Sequence, residues 1–303
     1  MAGNPLSKKV RTALDETRLL ILGAQVLFGF QLEAVFQNQF STLPLLSRSI
    51  ACAAVLLMTI AVACLVTPSM LHRIAEGGED TQRILRSATL WAGISLLPFA
   101  LSIGLDFYVV FELVTGRPGA VVAGFIFFGL AGAFWYGFEF MSKQHERVAA
   151  WAPIPASTPL STKIENMLRE ARVILPGAQA LLGFQFVVIL TKEFAALEPL
   201  SQGLHLAALC FVAFATILLM TPAALHRITY AGEDSEEFLK RGSRFVTTAP
   251  FFLGLGIAAD LYVVTTAAVQ SHGLGVAIGM GAFILLSILW YGFPFAIRKG
   301  KPT

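Results

Sequence analysis

Two aspartates that stand inside long apolar stretches are the first candidates for chemistry. Asp106 and Asp260 lie 154 residues apart, and each precedes a Tyr-Val-Val sequence by two positions. An ionisable group in hydrocarbon costs roughly 2.5–3.5 kcal/mol on insertion scales, so each aspartate needs a compensating role. One interpretation is a symmetric pair of carboxylates that bind a cation or a proton. The other is an aspartate near the outer membrane boundary that is partly hydrated or hydrogen-bonded to a neighbouring helix.

Polar side chains also interrupt the first apolar run of the chain and its counterpart in the second half. Gln25 and Glu33 fall on one helical stripe, and Gln31 lies on another face. Gln179 and Gln185 occupy the equivalent places, whereas an apolar valine stands where Glu33 would recur. The amides either line a pathway for an ion or a solute, or they hydrogen-bond between helices at about 0.6 kcal/mol per contact. Glu33 is either functional or exposed to water through an early helix end.

A Thr-Pro-x-x-Leu-His-Arg-Ile motif occurs twice, at residues 67–74 and 221–228. Its titratable and basic members are His72, Arg73, His226 and Arg227. We expect these side chains at the cytoplasmic surface, where a helix C-terminus and lipid phosphates stabilise cations. The alternative is that the two histidines share a metal, ligate haem or sense pH. Metal sites usually show more ligands at tight spacing, so we predict neither a metal nor a cofactor.

Composition restricts the class of protein. The chain has 303 residues, of which 56% are hydrophobic and 14% are charged, and its mean hydropathy is +0.71. Soluble domains carry about 25% charged residues, so the composition excludes an ordinary soluble enzyme, a nucleic-acid-binding module and a disordered chain. The lipid bilayer is the predicted partner, and no hydrolase, phosphate-loop or Cys-x-x-Cys signature argues for an enzyme. Three cysteines lie within apolar runs and are expected to be reduced.

Eight runs are long enough to cross about 30 Å of hydrocarbon as helices. They lie at residues 19–40, 49–71, 88–112, 119–141, 173–191, 204–225, 245–269 and 274–297. None alternates polar with apolar residues as barrel strands do. Because backbone groups in lipid must be satisfied within the segment, we predict an all-α integral membrane protein with eight transmembrane helices.

Basic residues fix the predicted orientation. If the N-terminus is cytoplasmic, 19 of the 22 lysines and arginines fall on the cytoplasmic side of this map. Such an asymmetry is typical of cytoplasmic loops. We therefore expect a multi-pass protein with both termini in the cytoplasm.

The chain is a tandem duplication. A shift of 154 residues aligns Gly-Phe-Gln at 29–31 with 183–185, and Gly-Glu-Asp at 78–80 with 232–234. Four spans per half give both copies the same orientation, so we predict parallel repeats around a pseudo-two-fold axis along the membrane normal. The predicted units are a first repeat at 1–141, a cytoplasmic linker at 142–159 and a second repeat at 160–303.

Each repeat opens with an amphipathic segment, at residues 6–18 and 160–172. Apolar residues share one helical face there and basic residues lie opposite. This pattern suits a helix on the cytoplasmic membrane surface that precedes the first span of its repeat. A solvated, continuous extension of that span fits the pattern equally well.

The half-repeat resembles a family of small bacterial four-span membrane proteins of unknown function. The resemblance rests on Gly-Ala-Gln-x-Leu-x-Gly-Phe-Gln at residues 23–31 and 177–185, together with the two His-Arg motifs. It covers nearly the whole chain, once in each half. It implies that the protein lies in a bacterial inner membrane, and it implies no particular activity.

Two classes of function follow from these residues. The first is a secondary transporter or an ion or proton pathway, lined by Asp106, Asp260, Gln25, Gln179, Gln31, Gln185 and Glu33. The second is a non-catalytic membrane scaffold or partner-binding subunit that uses the His-Arg loops and the amphipathic segments. A homo-oligomer is compatible with both, and the sequence identifies neither a substrate nor a protein partner.

Overall fold

A computed structural model describes residues 5–137, 158–230 and 233–299 of the chain. Within these ranges the regular structure is entirely helical, as the apolar runs predict. The predicted linker at 142–159 lies outside the described residues except for its last two positions. The three cysteines are free thiols, in agreement with the sequence.

The described part of the first half contains three long helices. They are α1 (Pro5–Ala34), α2 (Leu45–Met70) and α3 (Gln82–Gly132), with a 3-10 turn at Phe40–Thr42 and π-helical turns at Leu71–Ala75 and Ala133–Gly137. The α3 helix begins at its N-cap Thr81, whose side chain accepts a hydrogen bond from the Ile84 N–H.

The second half repeats this order. It contains α4 (Leu160–Ile189), the one-turn helix α5 (Lys192–Ala195), α6 (Pro199–Ile228), α7 (Glu236–Val269), α8 (His272–Ser287), a π-helical turn at Ile288–Gly292 and α9 (Phe293–Lys299). Serine side chains cap two of these helices: Ser235 begins α7 and Ser271 begins α8.

Six helical stretches in the described residues are long and apolar enough to cross a membrane. The chain is therefore a multi-pass membrane protein by length and composition. The eight predicted spans are not all present as separate apolar helices. The α1 helix is not among the six, because Gln25, Gln31 and Glu33 interrupt its apolar run and the helix ends at Ala34.

A second difference concerns the two predicted spans at 88–112 and 119–141, which lie in one helical stretch, Gln82–Tyr136. Gly116 breaks that stretch with a φ of 73°, a conformation that favours glycine. The arms on either side fold back on each other. The contact between them is seen at Phe107 and Phe127, whose rings stack with centroids 3.5 Å apart. The break at Gly116 therefore produces two antiparallel helices.

The amphipathic segments are continuous with the helices that follow them. Residues 6–18 belong to α1 and residues 160–172 belong to α4, so neither segment forms a separate helix before the span. Of the two interpretations of these segments, the structure supports the continuous extension. Burial accounts for this, since Leu14 and Ile164 pack inside the protein rather than facing a membrane surface.

The two halves make the same internal contacts. The α2 helix packs on α3 and α1, and its counterpart α6 packs on α7 and α4. Tyr136 Oη donates to the Gly93 carbonyl at 2.7 Å, and Tyr291 Oη donates to the Thr247 carbonyl at 2.7 Å. Gly93 and Thr247 are equivalent under the 154-residue shift, and the tyrosines match after one inserted residue.

The helices α1 and α4 pack against each other through equivalent residues. Arg169 Nε lies 3.2 Å from Asp15 Oδ1, and the Phe30 and Phe184 rings have centroids 4.5 Å apart. Each pair joins positions that differ by 154. The two contacts are separated by 15 residues, which is about 22 Å of helix, so α1 and α4 run side by side in the same direction.

Glycines on these two helices allow a matched test of the packing. A Cβ at Gly29 would overlap the Phe184 ring, whereas a Cβ at the equivalent Gly183 would meet no atom within 4 Å. We predict that Gly29→Ala lowers the free energy of unfolding by about 1–3 kcal/mol through overpacking. Gly183→Ala is predicted to raise it by about 0.5–1 kcal/mol, because alanine is the better helix former. Denaturant unfolding in detergent measures both, and equal effects of the two substitutions would contradict the observed packing.

Candidate functional site

A glutamine and an aspartate are bonded within the first repeat. Gln31 Nε2, on α1, donates to Asp106 Oδ2 at 2.7 Å and to Ser102 Oγ at 2.7 Å, both on α3. The Ser102 hydroxyl in turn donates to the Ala54 carbonyl of α2 at 2.9 Å. Gln31 and Ser102 are buried, so these bonds connect three helices within the apolar interior.

The same pair recurs in the second repeat. Gln185 Nε2, on α4, donates to Asp260 Oδ2 of α7 at 2.6 Å, and both side chains are 2% exposed. The structure thus brings four of the predicted site residues together as two equivalent pairs. Each aspartate is bonded to a neighbouring helix, one of the two arrangements expected from the sequence.

The second pair includes a histidine that sequence reasoning missed. His205, on α6, is 3% exposed, and its Nδ1 lies 3.0 Å from Asp260 Oδ1. Its Nε2 lies 3.1 Å from the Gln185 carbonyl oxygen. The equivalent position in the first repeat is Ala51, so a comparison of the repeats does not reveal it. The available signal is an ionisable residue near the start of an apolar run, whereas its aspartate partner is visible only in the packed structure.

Gln185, His205 and Asp260 form what we call the second-repeat cluster, which lies near one end of the helix bundle. Gln185 is four residues before the end of α4, His205 is six residues after the start of α6, and Asp260 is nine residues before the end of α7. These offsets correspond to about 6, 9 and 14 Å of helix. The Phe194 ring of α5 and the Phe36 ring cover His205, with ring centroids 5.3 and 6.4 Å from the imidazole.

A small cavity of about 10 Å³ adjoins this cluster, which is room for about one water molecule. Its lining residues are Leu32, Phe36, Leu181, Phe184, Gln185, Val188, His205, Asp260 and Val264. Gln185 Oε1 and Asp260 Oδ1 are buried and have no hydrogen-bond partner within the described structure. Both residues line the cavity.

The remaining pathway candidates are dispersed. Gln25 is buried, and its side chain fills the space that the missing Cβ of Gly177 leaves open. Gln179 is exposed and does not join Gln25 in a common lining. Glu33 is half-buried in the last turn of α1 and accepts a hydrogen bond from Gln37 Nε2 at 3.1 Å. Its place fits the early helix end that the sequence offered as one interpretation.

The expected surface position of the first His-Arg motif is wrong. His72 is 0% exposed and Arg73 is 6% exposed. His72 Nδ1 lies 2.5 Å from Glu170 Oε1, and Arg73 reaches Glu170 Oε2 through Nε and Nη2 at 2.7 Å each. Burial is tolerated because Glu170, on α4 of the other repeat, supplies the opposite charge for Arg73 and a hydrogen-bond partner for His72.

Acidic residues of the following loop extend this contact between the repeats. Asp80 Oδ1 accepts a hydrogen bond from Asn166 Nδ2 at 3.0 Å and lies 3.7 Å from His72 Nε2. Lys163 Nζ lies 2.6 Å from Glu79 Oε1, and the Thr158 N–H donates to Glu79 Oε2 at 2.8 Å. Partial burial raises the pKa of the Glu79 carboxyl, but the bonds from Lys163 and Thr158 outweigh burial and hold the pKa below its usual value.

The second His-Arg motif has a different environment. His226 Nε2 lies 3.5 Å from Asp234 Oδ1, which matches the pairing of His72 with Asp80. Arg227 is exposed, and so is Glu16, the counterpart of Glu170. The first motif ends in a π-helical turn, whereas the second remains α-helical through Ile228. Only the first motif, in the part of the chain that the structure describes, has its carboxylate partner from the other repeat.

The structure does not bring the two motif histidines together. Each one lies beside the acid of its own repeat, at Asp80 or Asp234. Among the described residues, no group of three or more histidine, cysteine or acidic side chains could hold a metal ion.

Comparison with known proteins agrees with this internal symmetry. Residues 4–139 and residues 158–294 each match one and the same family. The chain belongs to a family of unknown function (DUF6328). Two matches in one DUF6328 chain are consistent with a tandem duplication, as the 154-residue shift predicts. No curated protein and no solved structure matches the chain.

The carboxylate that joins the two DUF6328 repeats gives a stability prediction. We expect Glu170→Gln to lower the free energy of unfolding by about 3–5 kcal/mol, because it leaves the buried Arg73 guanidinium without a counter-charge. Glu16→Gln is the matched control, since Glu16 is the exposed equivalent and its loss should stay within about 0.5 kcal/mol. Thermal unfolding in detergent compares the two. An equal, small effect of both would contradict the buried ion pair.

The Glu79 contact gives a pH prediction. Its pKa is lowered in the folded protein, so its contribution to stability is present above the usual carboxyl pKa and is lost as pH falls through the lowered value. Lys163→Gln removes the strongest hydrogen-bond partner and is expected to move the Glu79 titration to higher pH. Carbon-13 NMR of the side-chain carboxyl measures the shift, with Lys163→Arg as the charge-retaining control. An unchanged titration in Lys163→Gln would exclude this contact.

Proposed function

We propose that this DUF6328 chain crosses the cytoplasmic membrane of a bacterium eight times, with both termini in the cytoplasm. The folded-back arms of Gln82–Tyr136 provide two crossings, because its 55 residues correspond to about 82 Å of helix against a core of about 30 Å. The other five apolar stretches and α1 provide the remaining six. The distribution of basic residues supports the orientation.

The proposal includes a pseudo-two-fold axis along the membrane normal, between α1 and α4. In a two-fold arrangement, residues on the axis contact their own equivalents. Asp15 with Arg169 and Phe30 with Phe184 are two such contacts, about 22 Å apart along the helices. They support two parallel repeats, since inverted repeats would run α1 and α4 in opposite directions.

Within this architecture, we propose that the chain provides a pathway for a proton or another small cation and is not an enzyme. The Gln–Asp pair that recurs in both repeats, partly buried in the first and buried in the second, carries the proposal. Ionisable side chains inside membrane helices are expensive, and they commonly mark ion pathways and proton relays. The cavity beside Asp260 has room for about one water molecule, which favours a proton or small ion over a bulky solute.

The alternative is a non-catalytic membrane scaffold or partner-binding subunit. It is favoured by the separation of Gln25 from Gln179, because these amides share no lining in the described structure. The exposed Arg227 and Glu16 would then be available for a protein partner or for a second copy of the chain. On this alternative, the Gln–Asp pairs only hold the helices together.

Flux into reconstituted vesicles separates the two functions. With an imposed membrane potential and an enclosed pH-sensitive dye, we expect proton flux above that of protein-free vesicles. The double variant Asp106→Asn, Asp260→Asn is expected to reduce this flux at least about tenfold, because it removes both carboxylates that are proposed to bind the cation. Glu237→Gln is the control, because that carboxylate lies in an exposed surface pair with Arg241.

Two outcomes would contradict the pathway. Flux in the double variant equal to that of the unsubstituted protein would remove the aspartates from it. Flux equal to that of protein-free vesicles, and equally absent for potassium and sodium, would favour the scaffold. Elution as a single folded species and unchanged thermal unfolding are required of both variants, so that a folding defect is not mistaken for lost flux.

A further inference from the structure

The second-repeat cluster fixes where hydrogens must lie on His205. Nε2 is 3.1 Å from the Gln185 carbonyl oxygen, and a carbonyl oxygen only accepts hydrogen bonds. Nε2 therefore carries a hydrogen. A neutral imidazole has only one, so Nδ1 would then present a bare lone pair.

Nδ1 lies 3.0 Å from Asp260 Oδ1, and that oxygen is buried without a hydrogen-bond partner in the described structure. A neutral imidazole beside an ionised carboxylate would place two lone-pair atoms against each other at this distance. One proton on the pair relieves this repulsion. It belongs to Nδ1 of an imidazolium beside an ionised Asp260, or to a protonated Asp260 beside a neutral His205. Both forms leave the pair without net charge.

Among the described residues around the pair, no further side chain compensates a charge. The side chains that face the pair are Leu32, Phe36, Leu181, Phe184, Gln185, Val188, Phe194 and Val264. Gln185 donates its amide to the other oxygen, Asp260 Oδ2, at 2.6 Å. None of these eight side chains is titratable. Removing the proton would leave an ionised carboxylate stabilised by one amide within an apolar interior, which is unfavourable.

We propose that the His205–Asp260 pair binds one exchangeable proton, and that this proton is the cation carried by the pathway proposed above. The second statement rests on the proposed function, whereas the first does not. Release transfers the proton to water in the adjoining cavity as hydronium, and it leaves a neutral imidazole with hydrogen on Nε2 beside a carboxylate anion. Uptake is the reverse, so charge and atoms balance.

The ligand set favours a proton over a metal cation. Ca²⁺ takes six to eight oxygen ligands, and Mg²⁺ requires near-octahedral coordination. The cavity presents oxygens from the side chains of Asp260 and Gln185, and its other walls are mostly Leu, Phe and Val. A space of about 10 Å³ accommodates one water, which is sufficient for a proton but not for a coordinated ion with its ligands.

The first repeat supplies an internal comparison. Ala51 stands where His205 stands in the second repeat, and Ser102 lies beside Gln31 and Asp106 instead. Asp106 therefore has an amide partner but no imidazole. We therefore expect a proton bound by a histidine–aspartate pair in the second repeat and not in the first.

Nitrogen-15 NMR of the full chain in lipid nanodiscs tests the bound proton directly. With labelled histidine, and His205 assigned by its disappearance in His205→Gln, we expect Nε2 to be protonated and Nδ1 to show a shared proton at neutral pH. Asp260→Asn is expected to remove the shared-proton signal, because an amide can donate to a bare Nδ1. Asp106→Asn is the matched control and should leave the His205 spectrum unchanged.

Flux measurements then separate the two statements. If His205→Gln reduces the proton flux at least tenfold, and neither this variant nor the unsubstituted protein carries sodium, the proton is supported as the transported ion. A shared-proton signal without any flux supports the site and overturns the proposed transport. A His205 spectrum that Asp260→Asn leaves unchanged overturns the site, whether or not flux is present. Sodium flux that depends on Asp260 overturns the choice of the proton.

Discussion

Polar groups buried between apolar helices must be bonded to one another, and this requirement organises both ends of the protein. At one end, His72 and Arg73 converge on the carboxylate of Glu170. At the other, Gln185 and His205 converge on Asp260. The helix α4 carries a member of each cluster on its buried face, and the 15 residues between Glu170 and Gln185 correspond to about 22 Å. Through Glu170 it joins the two repeats, and through Gln185 it joins helices within the second repeat.

A tandem duplication is consistent with what the halves share, and different residues at equivalent positions account for how they differ. The Gln–Asp pair and the tyrosine contacts recur because each copy packs its own helices in the same way. His205 occurs in one copy only, and the carboxylate of Glu170 is buried while its counterpart Glu16 is exposed. The proposed proton site therefore lies at a position where the two copies differ, within a framework that they share.

Much of this arrangement could be predicted from the sequence, because hydropathy and internal repetition are local signals. Asp106, Asp260, Gln31 and Gln185 stand out as polar residues repeated in apolar runs, although their pairing depends on helix rotation that no spacing rule supplies. The membrane class and the family also follow from the residues. The sequence predicts the break at Gly116 only as a gap between two spans, because the residue type does not show that this glycine has a positive φ.

The sequence predicts the wrong position for His72 and misses His205, because both depend on contacts between residues that are distant in sequence. Burial of His72 depends on Glu170, which lies 98 residues away, so the motif alone favours a surface position. His205 lacks a partner in its own run, and its importance appears only when α6 and α7 are packed together. Both cases show a general limit: the sequence indicates that a buried charge needs a partner, but only the packing identifies it.

The central claim is that two copies of one helical unit cross the membrane in the same direction around α1 and α4. Cysteine labelling in intact cells tests it most directly, in a background without the three native thiols. Single cysteines at Gln39 and its equivalent Glu193 are expected to react with an impermeant reagent from outside. Single cysteines at Glu79 and its equivalent Glu233 are expected to react only after the membrane is permeabilised. Opposite sidedness within either equivalent pair would contradict the parallel arrangement.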